Sequence, residues 1–295
     1  MTAATTSFTL PDGRALDVLL GGHAAGLALV MHHGTPSDST TFTDWDEACA
    51  TRGLRLICAS RPGYATSSRL PGRAVAQAVQ DTTALLDQLG HDQFLTAGWS
   101  GGGPHALACA ALLPERCRAA ATLAGVGPWG QPGLDFLAGM GPENVAEFGA
   151  ALGGEAAVRS WLQAHGEAFR HVTGVELAAA FGGLLPAIDR EVLSGGYAEH
   201  MAAEMRRALA PGFDGWADDD LAFTRAWGFA LASIRCPVTV WQGDLDLMVP
   251  FTHGRWLARE VPGARAVLVP GHGHVSLVTR FRDPILDELV AAGRP

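Results

Sequence analysis

Short, almost uninterrupted apolar runs bounded by Gly or Pro recur along the chain: Leu27 to His32, Leu54 to Ala59, Phe94 to Trp99, Ala119 to Ala124, Val238 to Gln242 and Ala266 to Val269. Runs of this length without polar alternation predict strands buried on both faces, which points to a parallel sheet. Helical spacing fills the intervals. The clearest case runs from Ala74 to Leu89, where Ala78, Val79, Leu85, Leu86 and Leu89 share a face and Gly90 supplies the stop. Further helices are expected over Asp44 to Thr51, Gly103 to Leu113, Gly254 to Glu260 and Pro284 to Ala292. Ahead of them, Ser7 to Leu10 and Ala15 to Leu20 flank Pro11-Asp12-Gly13-Arg14, whose Asp-Gly pair signals a hairpin and an antiparallel start. Alternating strands and helices give an α/β fold.

The alternation breaks between about Val126 and Gly228. Strand-like runs vanish there, and amphipathic helical patterns replace them. Val158, Trp161, Leu162 and Phe169 read as one face of a helix, and Met201, Met205 and Leu209 as one face of another. Pro128, Pro132, Pro142, Pro186 and Pro211 divide the segment into short pieces, and four of the eight Trp residues fall inside it. The expectation is a helical insertion at 126–228, between core segments 1–125 and 229–295.

Composition supports one large globular unit: 295 residues, 48% apolar and 17% charged. The basic residues are all Arg, and the net charge of −9 supplies no positive field for phosphate backbones, so nucleic acid is not an expected partner. The start lacks a basic region followed by an apolar stretch, and no segment reaches the roughly 20 apolar residues of a membrane span; a cytoplasmic protein without a membrane partner is expected. Cys49, Cys58, Cys109, Cys117 and Cys236 are odd in number and contain no CxxC pair, and read as inert thiols.

The sharpest chemical signal is Gly98-Trp99-Ser100-Gly101-Gly102, placed between a predicted strand and a predicted helix. That is the setting a G-x-S-x-G nucleophile turn requires, because side chains two residues either side of Ser100 would collide. A serine hydroxyl needs a general base, and the base a group that fixes its tautomer. Later strand ends supply both types: Asp244 and Asp246 after Val238 to Gln242, and His272 and His274 after Ala266 to Val269. The order serine, acid, histidine follows. A tetrahedral oxyanion needs two N–H donors, and the Gly101 amide at the helix start is one. The other is assigned to the Thr35 amide in the loop after the first run, since Pro36 has none; Gly34 lets the backbone come close.

These motifs resemble the α/β-hydrolase superfamily over the whole chain apart from the insertion. His33-Gly34-Thr35-Pro36 is similar to its HG-x-P oxyanion loop, and Arg61-Pro62-Gly63-Tyr64-Ala65-Thr66-Ser67 to its RPGYGxS segment, with Ala65 in place of glycine. Gly243-x-x-Asp246-x-x-Val249-Pro250 resembles the acid loop, and Gly271-His272-Gly273-His274 the histidine loop. The resemblance implies a mostly parallel eight-stranded sheet flanked by helices, with a helical cap, and carries Ser100 over as nucleophile, Asp246 as acid and His274 as base. It also implies that the dehalogenase and epoxide-hydrolase branches, which place aspartate at the elbow, fit less well.

The remaining features read more plainly. The His32-His33 and His272-His274 pairs lack a carboxylate at ligand spacing, so no metal and no cofactor is expected. Asp218-Asp219-Asp220 reads as a solvated helix start, and the Thr35 hydroxyl as exposed. Trp99 and Gly34 are candidates to contact substrate. The expected function is hydrolysis of a carboxylic ester or related small acyl compound. Alternatives are an aminopeptidase of the proline iminopeptidase kind, with Glu143, Glu147, Glu167 or Glu204 on the amine, a carbon-carbon bond hydrolase, or a silent ligand-binding receptor. A homodimer is left open.

Overall fold

The computed structural model describes residues 3–294. Strands β1 (Ala4–Thr9) and β2 (Ala15–Gly22) form the expected hairpin, with Thr9 opposite Ala15 and Gly13 at φ +85° in the turn. β1 begins earlier than its sequence suggests. It is an exposed edge strand rich in Thr and Ser, so it carries no apolar run to announce it. The other strands are β3 (Leu27–His32), β4 (Leu54–Ala59), β5 (Phe94–Trp99), β6 (Cys117–Leu123), β7 (Val238–Gly243) and β8 (Arg265–Val269). One eight-stranded sheet results, in the order β1-β2-β4-β3-β5-β6-β7-β8. β1 and β2 run antiparallel to their neighbours, and every pair from β4 to β8 is parallel.

Helices cover both faces, as near-continuous apolar strands require. In β3, Leu29 and Met31 point into one core layer and Ala28 and Val30 into the other. The first layer is closed by α1 (Asp46–Thr51), α12 (His274–Arg280) and α13 (Arg282–Ala292), the second by α2 (Ala78–Leu89), α3 (Gly103–Leu112) and α11 (Phe251–Glu260). β5 lies inside the sheet with all six residues buried. Its carboxyl end is therefore a fixed point from which a side chain can be aimed.

Between β6 and β7 run seven helices: α4 (Pro142–Leu152), α5 (Glu155–His165), α6 (Glu167–His171), α7 (Gly174–Ala180), α8 (Ala187–Val192), α9 (Gly195–Ala208) and α10 (Asp214–Phe223). Val158 and Leu162 of α5, Leu209, and Trp216 and Leu221 of α10 form a third apolar cluster around Tyr64. The expected single face from Val158 to Phe169 is corrected: α5 ends at His165, Gly166 interrupts, and Phe169 belongs to α6. Met201 and Met205 of α9 are buried together as their spacing predicts, whereas Leu209, just past the end of that helix, is buried in the third cluster instead. No helix among the described residues is long and apolar enough to cross a membrane.

Candidate active site

β5 ends at Trp99 and α3 starts at Gly103, so Ser100–Gly102 must reverse the chain within three residues. Ser100 sits at φ +57°, a left-handed conformation that costs a side-chain-bearing residue about 1–2 kcal/mol. The neighbouring glycines make the turn possible. A Cβ on Gly98 would lie 2.0 Å from the Gly102 carbonyl oxygen, and one on Gly102 would lie 2.0 Å from that of His32. The hydroxyl-bearing residue is thus held at the carboxyl edge of the sheet, in front of the free amides of a helix start.

The loop after β7 supplies the acid. Asp246 is buried, and its Oδ2 accepts a hydrogen bond from His274 Nδ1 at 2.7 Å. Its Oδ1 accepts the amides of Met248 and Val249 at 2.9 and 2.8 Å, so the carboxylate is fixed from both sides. Asp244 is exposed and does a different job, accepting the Gly271 amide at 2.7 Å and tying its loop to the histidine loop. With Nδ1 engaged as donor, the His274 ring leaves Nε2 as its acceptor. Ser100 and His274 border the same recess of about 50 Å³. Trp99 lies under the imidazole, ring centroids 5.3 Å apart, and donates from Nε1 to the His274 carbonyl at 3.3 Å. His272 stays outside this arrangement, half-buried against Phe281.

The loop after β3 approaches from a strand paired directly with β5. A Cβ on Gly34 would lie 3.4 Å from Ser100 Cβ, and one on Gly101 would lie 2.4 Å from Thr35 Oγ1. The structure therefore brings Gly34, Thr35, Ser100 and Gly101 into contact. His33 anchors this loop: its Nε2 accepts the Arg61 amide at 2.9 Å, so Nδ1 carries the proton donated to the Gly34 carbonyl at 2.7 Å. Burial holds the imidazole well below its ordinary range, in keeping with that neutral tautomer.

Residues 28–281 match the model of the alpha/beta hydrolase fold family. The chain belongs to that family. Over 145 residues it is 28% identical to epoxide hydrolase B of Mycobacterium tuberculosis, covering 47% of this chain and 39% of that protein. The chain spans about two fifths of the length of the curated relatives it matches. Among solved structures, a hydrolase from Pseudomonas aeruginosa PA01 has a TM-score of 0.69 at 21% identity, covering 98% of this chain and 97% of that one. An esterase from Rhodococcus sp. ECU1013 has a TM-score of 0.66 at 20% identity, covering 99% and 100%. At such identities these likenesses show the fold alone.

Within this alpha/beta hydrolase, the acidic triplet of α10 is the largest departure from the sequence reading. Asp218, Asp219 and Asp220 are buried, not solvated. Asp219 accepts hydrogen bonds from Arg61 Nη2 at 2.7 Å, Arg73 Nη1 at 2.6 Å, Tyr64 Oη at 2.9 Å and Thr35 Oγ1 at 2.7 Å. Burial alone would raise its carboxyl; Arg61 and Arg73 outweigh that and hold it far below the usual carboxylate range. Arg61 also donates to the His33 and Gly34 carbonyls at 2.5 and 2.6 Å. The Thr35 hydroxyl, expected to be exposed, is consumed by this network. A second carboxylate acts on the histidine side. Asp189 of α8 accepts the amides of Val275 and Ser276 at 3.0 and 2.9 Å, capping the helix that begins at His274. Neither role has a local sequence signature, because each donor and acceptor is over 80 residues apart.

A cavity of about 400 Å³ opens beside Ser100 and is roofed by the inserted helices, including Phe148, Trp161, Phe181 and Trp216. Of the four glutamates proposed above, Glu143 and Glu147 border it, and Glu204 borders the smaller recess with Ser100 and His274. Glu204 accepts from the hydroxyls of Ser37 and Thr41, the latter at 2.8 Å, and burial pushes its carboxyl up to about 8. Glu167 is on the surface, paired with Arg170 and His171.

Proposed function

We propose that this protein is a serine hydrolase that cleaves a carboxylic ester or a related small acyl substrate through an acyl-enzyme on Ser100. The observation that carries the reading is that Ser100, in its left-handed turn, shares one recess with a histidine whose other nitrogen is bound to a buried aspartate at 2.7 Å. His274 Nε2 takes the Ser100 proton as the oxygen attacks the carbonyl carbon. Asp246 keeps the ring in the tautomer with Nδ1 protonated and stabilises the imidazolium that forms. The amides of Gly101 and Thr35 receive the oxyanion, each contributing on the order of 10²-fold or more in rate. His274 then protonates the leaving group, and water repeats the cycle on the acyl-enzyme. Gly34 and Trp99 shape the floor of the site. No step calls for a metal or an organic cofactor. Serine at the elbow supports acyl transfer here, although the relative with 28% identity is an epoxide hydrolase.

A fluorophosphonate probe tests the reading. Covalent labelling at Ser100, lost in Ser100→Ala together with roughly 10⁴-fold or more of kcat on p-nitrophenyl acetate, is the expected result. Folded protein that stays unlabelled, or is labelled elsewhere, overturns it.

A further inference from the structure

The large cavity has a wall that the acyl-transfer chemistry leaves unused. Glu147 of α4 and Asp220 of α10 border the cavity together with Ser100, and are only 9% and 1% exposed. Trp216 Nε1 donates to Glu147 Oε1 at 2.6 Å, whereas Asp220 Oδ2 has no nitrogen or hydroxyl donor among the described residues and Asp220 meets only the carboxyl of Glu147. Glu143 of the same wall presents a second such oxygen, Oε2.

An apolar acyl pocket has no use for these groups, because burying carboxyls without partners is costly. Burial pushes Glu147 up to about 7, and burial together with the neighbouring Glu147 pushes Asp220 well above its ordinary value. The two therefore titrate as a pair that shares protons. Any negative charge the pair keeps has no counter-ion in the wall. The nearby guanidiniums of Arg61 and Arg73 are turned toward Asp219, at 2.7 and 2.6 Å. The remaining titratable group of the lining, His165, is stacked on Trp161 with ring centroids 4.7 Å apart and engages the Trp161 carbonyl through Nδ1. Five aromatic side chains, Trp161, Trp216, Phe148, Phe169 and Phe181, line the same cavity among aliphatic ones.

Unneutralised carboxyls beside several ring faces are the two complementary parts of a site for an organic cation. We propose that the substrate carries a protonated amine, seated between the Glu147 and Asp220 carboxyls and the aromatic wall while its acyl carbon meets Ser100. The proposal rests on the hydrolase reading for the identity of the reacting end, and on the cavity alone for the cation. The ammonium donates to Asp220 Oδ2 and Glu147, and the proton that the two carboxyls share stays between them, so that one positive charge meets one negative charge.

Binding is measured on Ser100→Ala protein, so that turnover plays no part, using n-hexylammonium and the neutral, similarly sized n-hexanol as probes. Thermal shift and intrinsic tryptophan fluorescence, to which Trp161 and Trp216 of the cavity contribute, give the two dissociation constants. Hexylammonium should bind at least about tenfold tighter, in the range of a desolvated cation over aromatic faces. In Glu147→Gln, which keeps an acceptor for Trp216, and in Asp220→Asn, the preference should shrink to below about threefold. Equal binding of the two probes overturns the proposal, and needs no variant to be read. A preference that persists in both variants overturns it too, since the amine would then sit elsewhere on an acidic surface. Failure of the hydrolase reading shows separately, as unlabelled Ser100 in a protein that still discriminates the probes.

Discussion

Replacing Asp219 with asparagine changes one buried charge and almost no volume. Two guanidiniums, Arg61 and Arg73, each no more than 4% exposed, lose their counter-ion, and the amide can accept at only one of the two oxygens that now serve four side chains. Removing one partner of a buried ion pair costs about 3–5 kcal/mol. Arg61 keeps the His33 and Gly34 carbonyls and Arg73 keeps the Gly215 carbonyl, so the lower half of that range is expected. At about 2–4 °C per kcal/mol for a chain of this class, the melting temperature should fall by roughly 6–15 °C. The pH dependence has a definite sign. The folded carboxyl titrates far below its ordinary 3.8, so wild type holds this contribution above about pH 4 and loses it as pH falls further. The gap between wild type and Asp219→Asn should be flat from pH 5 to 8 and narrow below pH 4. Activity should register the loosened Thr35 loop as a loss of about tenfold to a hundredfold in kcat with little change in KM. Thr35→Val in a double-mutant cycle should couple to Asp219→Asn, because the hydroxyl and the carboxylate are bonded directly. Wild-type melting in the variant, or a stability gap that widens in acid, would refute the reasoning.

Asp189→Asn should destabilise by about 1–2 kcal/mol through loss of a charged helix cap and lower kcat more than it raises KM, both read on the same preparation. Asp246→Asn should cost on the order of 10³ to 10⁴ in kcat and Asp244→Asn about tenfold or less, with the reverse order showing that the acid is misassigned. Glu204→Gln should raise the melting temperature relative to wild type at pH 8 but not at pH 4. A carboxyl raised by burial from 4.5 to about 8 makes wild type lose stability across that window, and the amide removes the slope.

The sheet could be read from the sequence because strands β3 to β7 are apolar on both faces and bounded by Gly or Pro; all six apolar runs lie where strands β3 to β8 form, within two residues at either end, although β8 is the other edge of the sheet and mostly exposed. The start of β1 is not legible in this way, because an exposed edge strand of Thr and Ser lacks that contrast. The three residues proposed as the triad carry local signatures: glycines forced by close packing around Ser100, and short loops after β7 and β8. The partners that hold those loops do not. Asp219 and Asp189 lie 184 and 86 residues from the groups they bind. In sequence, an aspartate in a polar helix looks the same whether it meets water or two arginines. Helix breaks in the insertion, such as Gly166 between α5 and α6, were likewise invisible to a periodicity count that runs through them.

Those two aspartates also change what the inserted helices can be in an engineering sense. Each reaches out of the insertion and holds a different loop of the sheet domain: Asp219 the one bearing Thr35, Asp189 the helix bearing His274. A roof pinned at both points would, on swinging away as a rigid hinged cover, also release the groups that flank Ser100. The same pins divide the chain into parts that are not interchangeable. Grafting a different roof onto this sheet to alter its range of substrates would remove both clamps at once, unless the graft carries a carboxylate to each of the two positions, and Arg61 and Arg73 would be left buried as bare cations.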